Sequence, residues 1–304
     1  MNFGILYSRI RKDEKLLLSE LRDRGHEVTK IDVRKQQFGL SEPPADFEGV
    51  DLVVDRCLAT SRSVYATRFI DAYDIPVVNH PDTADVCADK AKNSLALVED
   101  AVPTPDTKVA FTKDAAMEAI EDFGYPCVLK PVVGSWGRLM AKIDSRTAAE
   151  AILEHKETLG HYEHKVFYVQ EYVDKGGEDI RVLATDGEPV AAMVRSSDHW
   201  ITNAAKGAET DAFGLDDEAL DLVERASEAV GGGLLGVDLM GTGEAQSSSE
   251  GSSGDEPRDY GYTVHEVNHN VEFKALNEAT DVDVPARVVD WLETKAEQEQ
   301  GVSA

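Results

Sequence analysis

Apolar residues recur along the chain with two spacings, and the spacing changes often. Asn2 to Tyr7 is a short, mostly apolar run, the mark of a buried strand. Asp13 to Gly25 follows with Leu16, Leu17, Leu18 and Leu21 on a helical period and Gly25 as a stop. Val28 to Val33 and Asp51 to Asp55 predict further strands, Val64 to Tyr73 a helix, and Ile75 to Val78 one more short strand. This alternation implies a small parallel α/β sheet that ends near His80-Pro81.

Asp89-Lys90 opens a helix through Leu97, Thr107 to Ala110 is strand-like, and Ala115 to Phe123 is an amphipathic helix. The apolar run Cys127 to Leu129 is a strand, followed by a glycine-bracketed loop, a strand over Leu139 to Ile143 and a helix over Thr147 to Lys156. This strand–loop–strand–helix unit is predicted to close over a nucleotide as a lid. Val166 to Val173, Ile180 to Ala184 and Pro189 to Arg195 read as strands, and Asp216 to Gly231 as a helix. Leu234 to Met240 and Tyr262 to Val267 are strands, and Pro285 to Gln298 is a closing helix. Gly241 to Gly261, rich in Ser, Gly, Glu and Asp, is a polar low-complexity insertion between two strands, predicted to be solvated and flexible. The expected division is an N-terminal α/β domain at 1–86 and a second domain at 87–300, with a lid subdomain at about 110–165.

Composition narrows the classes. The chain has 304 residues, 42% of them hydrophobic, enough for large cores. No apolar run reaches membrane-spanning length, and Met1-Asn2-Phe3-Gly4 already reads as strand, so the expectation is a cytoplasmic protein. Acidic residues number 58 against 31 basic, a net charge of −27, which argues against nucleic acid or an anionic membrane as partner. The charge fits a halophilic protein in a high-salt cytoplasm, where self-repulsion is screened within ~3 Å at 1 M salt. Cys57, Cys87 and Cys127 lie far apart without metal-ligand spacing and are expected to be small buried residues.

Against that acidic background the cations stand out. Lys130 ends a strand between Pro126 and Pro131 and is followed by Gly134, Ser135, Trp136, Gly137 and Arg138. The glycines let the backbone turn and present N–H groups to an anion, and Arg138 adds a permanent charge. Together they point to a nucleoside triphosphate, although the stretch alone also fits a hairpin turn with a surface lysine. It is neither a P-loop nor a dinucleotide-binding glycine motif. The late strands carry the strongest signal. Asp238 lies in Gly236-Val237-Asp238-Leu239, and Glu266 and Asn268 in Val264-His265-Glu266-Val267-Asn268. Alternation puts Glu266 and Asn268 on one face, opposite Asp238 if the strands pair. Carboxylates in an apolar sheet cost several kcal/mol unless paired or metal-bound, and three such oxygens suit Mg2+ that also holds phosphates. An edge hairpin with solvated carboxylates is the structural alternative.

Several strings resemble the LysX/ArgX branch of the RimK-like ATP-grasp ligases. They are Gly134-Ser135-Trp136-Gly137-Arg138, Asp179-Ile180-Arg181, Trp200-Ile201-Thr202-Asn203, and Glu266-Val267-Asn268-His269 with Glu272-Phe273-Lys274. The resemblance runs nearly end to end and is broken by the insertion. It implies an ATP-grasp fold behind an N-terminal parallel α/β (pre-ATP-grasp) domain, with ATP and Mg2+ as cofactors. In such enzymes Lys90 and Lys130 would grip the same phosphates, and Gln170, Glu171, Tyr172 and Val173 would form the strand that reads adenine. Asp179 would face the ribose, and Arg181 a substrate carboxylate or phosphate. Arg195 would meet the γ-phosphate or acyl phosphate, and Asn203 phosphate and metal. Lys206 stands where the branch shows arginine, which keeps the charge but loses the bidentate fork.

Members of the branch attach glutamate or 2-aminoadipate, through its amino group, to the C-terminal glutamate side chain of the amino-group carrier protein LysW. The resemblance thus implies a carboxylate–amine ligase of arginine or lysine biosynthesis, commonly oligomeric. After Glu-Phe-Lys the branch separates aminoadipate enzymes (Asn, then Thr or Ala) from glutamate enzymes (Gly, then Phe). Here Lys274 is followed by Ala275 and Leu276, nearer the second pair because neither supplies an amide. Glutamate is therefore the expected substrate. The alternatives are a related glutamate ligase with another acceptor and a non-catalytic nucleotide-binding module. The module would require a broken metal triad, and all three candidate ligands are present.

Overall fold

The computed structural model describes residues 1–134, 139–158, 165–202, 208–242 and 261–302. Their strands form three sheets. The first is parallel, in the order β2-β1-β3-β4, from β1 (Asn2–Tyr7), β2 (Glu27–Asp32), β3 (Leu52–Arg56) and β4 (Val77–Val78). Helices α1 (Lys12–Asp23) and α2 (Thr60–Ala72) connect them. Alternate side chains of β1 enter two cores: Phe3 and Ile5 join Leu17 and Leu21 of α1, while Leu6 joins Ile31, Ala66 and Ile70. β3 divides in the same way, Leu52 and Val54 to one core and Val53 to the other. Burial on both faces is why these strands read as near-continuous apolar runs.

His80-Pro81 does not simply close this region. It starts a helix that the sequence pattern did not announce, α3 (Pro81–Ala88), with His80 Nδ1 accepting the Asp82 N–H at 3.3 Å. Proline is tolerated at a first helical position because that N–H has no intrahelical partner. Asp89 alone separates α3 from α4 (Lys90–Glu99), and its carboxylate accepts the N–H groups of Ala91 and Lys92 at 2.8 and 3.2 Å.

The second sheet is antiparallel, in the order β5-β8-β6-β7, from β5 (Thr107–Ala110), β6 (Cys127–Lys130), β7 (Ala141–Ile143) and β8 (Phe167–Glu171). Helices α5 (Lys113–Phe123) and α6 (Arg146–Thr158) cover one face. Thr112 caps α5 by accepting the Ala115 N–H at 3.2 Å, and Gly124 ends it at φ +78°, a conformation that favours glycine. Cys127, Leu129, Phe167 and Val169 face the helices, which turns Val128, Lys130, Tyr168 and Gln170 to the other side.

The third sheet is antiparallel, in the order β11-β10-β9-β12-β13: β9 (Glu178–Thr185), β10 (Glu188–Ser196), β11 (Glu209–Ala212), β12 (Leu234–Gly241) and β13 (Tyr262–Asn268). Helix α7 (Asp217–Ala229) packs Leu222, Val223 and Ala226 on Ile180, Val182, Val237 and Leu239. β11, not anticipated, is a polar edge strand that pairs only with β10 and has no apolar alternation to reveal it. The chain ends with α8 (Lys274–Ala279), also unanticipated, and α9 (Val284–Val302). Val288 and Leu292 of α9 share one core with Leu17 and Leu21 of α1, so the last helix packs on the N-terminal sheet. The three cysteines are buried and unpaired, and no described helix is long and apolar enough to cross a membrane.

Residues 243–260, nearly all of the insertion, lie outside the described residues. Its described ends meet, Thr242 N–H donating to Gly261 O at 2.8 Å, so β12 and β13 are joined up to the base of the segment. Deleting Gln246 to Glu256 should therefore leave unfolding free energy within about 1 kcal/mol, the scale of a loop-length change. A larger loss in urea melts would show that the segment packs on the fold.

Candidate functional site

One cavity is lined by strands of the second and third sheets and, on the N-terminal side, by Arg11, Cys57, Leu58 and Thr60, which follow β1 and β3. Period-two alternation in β9, β10, β12 and β13 brings charged side chains to its floor. The register aligns Arg181 with Asp238 and Asp238 with Glu266 across three strands, and Asp179 with Arg195 beside them. Arg181 grips Asp238 with both sides of its fork, Nε to Oδ1 at 2.7 Å and Nη2 to Oδ2 at 2.6 Å. Arg195 Nη2 donates to Asp238 Oδ1 at 3.2 Å, and its Nε donates to Asp179. Burial alone would raise the Asp238 carboxyl, but the two arginines hold it well below the usual carboxylate range.

A break in the register adds a residue that alternation hides. Asp238 opposes Glu266 while Leu239 opposes Val264, so His265 is the extra residue of a β-bulge. Both His265 and Glu266 line the cavity as a result. His265 Nε2 lies 3.2 Å from Lys130 Nζ, and burial, then the charge of Lys130, keeps the imidazole neutral by lowering its pKa. Lys175 was also missed, because Asp174-Lys175-Gly176-Gly177 reads as an ordinary turn. Its Nζ reaches Asp179 Oδ2 at 3.0 Å and donates to Thr202.

Lys130 is 3% exposed. It donates to Gln170 Oε1, and Gln170 Nε2 in turn donates to Thr107 Oγ1 and Tyr168 Oη, each at 2.9 Å. Burial holds the amine down to about 7, with Lys90 and Lys175 pushing the same way against Glu266. Lys90 sits at the junction of three elements. Its N–H donates to Val132 O at 2.8 Å, while Nζ donates to Gly134 O at 2.9 Å and Glu266 Oε1 at 2.8 Å. The expected pair of lysines is thus brought to one cavity. Glu171, Tyr172 and Val173 follow on its wall, with Glu171 Oε1 accepting the Asp106 N–H at 2.8 Å.

Asp238, Glu266 and Asn268 all line the cavity on adjacent strands. Among the described residues no three His, Cys, Asp or Glu side chains gather as a metal site. Two carboxylates and an amide line the cavity side by side, and hard oxygens of this kind are the ligand type a small divalent cation takes together with water and phosphate. Each carboxylate already faces cations, Asp238 two arginines and Glu266 Lys90, so the set suits a metal that arrives with phosphate charge.

The proposed selectivity pair separates. Ala275 lines the cavity, whereas Leu276 is fully buried in the core with Val271, Phe273 and Val284, because consecutive helical residues point about 100° apart. Lys274 is drawn away as well: it is exposed, with Nζ 3.5 Å from Glu278 Oε2, and does not line the cavity. Ser135, Trp136, Gly137, Arg138, Asn203 and Lys206 lie outside the described residues.

Comparison with known proteins matches residues 3–86 to the LysX preATP-grasp domain and residues 87–254 to the RimK-like ATP-grasp domain. The glutamate–LysW ligase ArgX of Sulfolobus acidocaldarius is 28% identical over 96% of this chain and 98% of its own. The alpha-aminoadipate–LysW ligase LysX of Saccharolobus solfataricus is 31% identical over 87% of this chain and 90% of its own. Among solved structures, a RimK-domain ATP-grasp protein of Sphaerobacter thermophilus superposes with TM-score 0.76 at 26% identity, covering 96% of this chain and 99% of that one.

The depressed Lys130 amine has a measurable consequence. Between about pH 7 and its ordinary value of 10.5 the unfolded chain holds a proton there that the folded chain lacks, so stability rises with pH across that window. Lys130→Met should therefore be more stable than the wild type below about pH 7, and the difference should shrink toward pH 10. A difference that stays constant over this range in denaturant titrations would show an ordinary lysine.

Proposed function

The chain belongs to the RimK-like ATP-grasp family and is an ATP-dependent carboxylate–amine ligase, and on that premise we propose that it joins the amino group of glutamate to a LysW-type carrier. The acceptor is the side-chain carboxylate of the carrier's C-terminal glutamate, and the pathway is arginine biosynthesis. The observation that carries this is the floor of the cavity: Asp238 beside Glu266 in register, with Lys90 and Lys130 above them. The oxygens suit a metal–phosphate complex and the lysines a transferring phosphoryl group.

A carboxylate is a poor electrophile. Transfer of the γ-phosphoryl group of ATP to the carrier carboxylate gives an acyl phosphate and ADP. The substrate amine then attacks the acyl carbon, the amide forms, and phosphate leaves. In this account Lys90 and Lys130 hold phosphate oxygens as point charges, and Arg195 and Arg181 offset charge on the phosphoryl group and substrate. Gln170 to Val173 seat the adenine and Asp179 the ribose. Among the residues outside the described set, Ser135 to Arg138 would cover the phosphates, with Asn203 and Lys206 on phosphate and substrate. Mg2+ would be held by Asp238, Glu266 and Asn268 and would supply neutralisation of phosphate charge. Much of the rate then comes from positioning and preorganised charge.

The net charge of −27 supports a high-salt working environment, so assays belong at molar salt. Glu266→Gln should lower carrier-dependent ATP turnover by roughly 100-fold or more while shifting the melting temperature only a few degrees, because it removes a charge with little change of shape. Unchanged turnover would remove Glu266 from the account.

Glutamate and 2-aminoadipate differ by one methylene, worth about 1–3 kcal/mol in a pocket. The wild type should prefer glutamate in kcat/KM, and Ala275→Asn alone should move the ratio toward aminoadipate, with Leu276→Thr affecting stability only. A wild-type preference for aminoadipate of about tenfold or more, ~1.4 kcal/mol, would assign the enzyme to lysine biosynthesis instead.

A further inference from the structure

Arg11, at the start of α1, lines the N-terminal side of the cavity with Cys57, Leu58 and Thr60. One side of its guanidinium is held in place. Nε and Nη2 donate to Glu14 Oε2 and Oε1 at 3.1 and 2.7 Å, and the Arg11 N–H donates to the same carboxylate at 2.6 Å. Glu14 is fully buried and is shared with Arg56, whose Nε lies 3.3 Å from Oε1, so this anchor is set from two sides. The remaining nitrogen, Nη1, donates to Glu272 Oε1. Glu272 is 41% exposed and can leave by rotation of its side chain.

We propose that Arg11 binds the side-chain carboxylate of the dicarboxylic amino-acid substrate, which replaces Glu272 at Nη1. The assignment rests on the reading that this ligase attaches such an amino acid. The other cavity cations are paired with more buried groups: Arg181 and Arg195 with Asp238 and Asp179, Lys175 with Asp179, Lys90 with Glu266, and Lys130 with Gln170. Arg11 differs because its cavity-side partner is exposed, and that partner shows the position accepts a carboxylate oxygen. Its planar fork is already oriented by Glu14, so little side-chain freedom is lost when a substrate binds. Ala275, the wall residue proposed to sense substrate length, lines the same cavity. An arginine here distinguishes glutamate from glutamine, which has the same shape without the charge.

The test offers L-glutamate and L-glutamine to the wild type, Arg11→Gln and Arg11→Lys with ATP, Mg2+ and purified carrier, reading kcat/KM for each. Carrier-free binding of both amino acids in the presence of ADP and Mg2+ is measured by calorimetry. Arg11→Gln should lower kcat/KM for glutamate by roughly 100-fold, the scale of a hydrogen bond to a charged group, leaving KM for ATP and the slow use of glutamine nearly unchanged. Arg11→Lys, which keeps a cation beside buried Glu14, should lose about tenfold and decides the matter if Arg11→Gln does not fold. Variants that keep the wild-type preference for glutamate over glutamine would overturn the assignment. If the wild type binds glutamate and the variants do not, yet no carrier product forms, Arg11 stands and the carrier reading falls. If the wild type neither binds nor ligates a dicarboxylic amino acid, the Arg11 assignment falls with its substrate.

Discussion

Asp238 is one buried carboxylate shared by two arginines, and the floor of the cavity depends on that sharing. Arg181 takes both of its oxygens and Arg195 adds a third contact, in the middle of a sheet whose other face is a packed apolar core. Burying three charges is tolerable only because each satisfies another. Removing one partner of such a set typically costs about 3–5 kcal/mol, since a charge is left without a counter-ion.

Around that floor, parts far apart in the chain are tied by a few polar contacts. Lys90 joins the start of α4 to Val132 and Gly134 of the loop and to Glu266 of β13. On the N-terminal side, buried Asn79 donates to Leu234 O and His269 O at 2.9 and 2.7 Å and accepts the Leu234 N–H at 2.6 Å. Gly233 next to it has φ +111°, and a Cβ there would lie 2.2 Å from Asn79 Oδ1, so only glycine admits this contact. With α9 packed in the same core as α1, these ties hold the N-terminal sheet against the third sheet. Arg11 can therefore form a wall of a cavity whose floor lies more than a hundred residues later.

Much of this was legible from residue order. Strands buried on both faces, the glycine stop after α1 and the isolated acids of β12 and β13 are local signals: alternation, left-handed backbone and charge in an apolar run do not need a partner to be seen. Lys130 and the acid–amide set were therefore singled out as residues, whereas Lys90 came only from the family resemblance. The short helices α3 and α8 and the edge strand β11 were not, since a proline serves equally to end or begin a helix and a polar edge strand carries no periodic pattern.

What the sequence determined by itself is which residues carry charge next to apolar strands, and hence the family and the kind of chemistry. Tertiary structure decided which of them share a surface. A bulge of one residue brought His265 to the same cavity as Glu266, a helical turn buried Leu276 beneath Ala275, and a distant pairing placed Arg11 opposite Glu272. The physical reason is the same in each case. Side-chain direction depends on register and rotation, and these are set by partners whose distance along the chain no local pattern encodes.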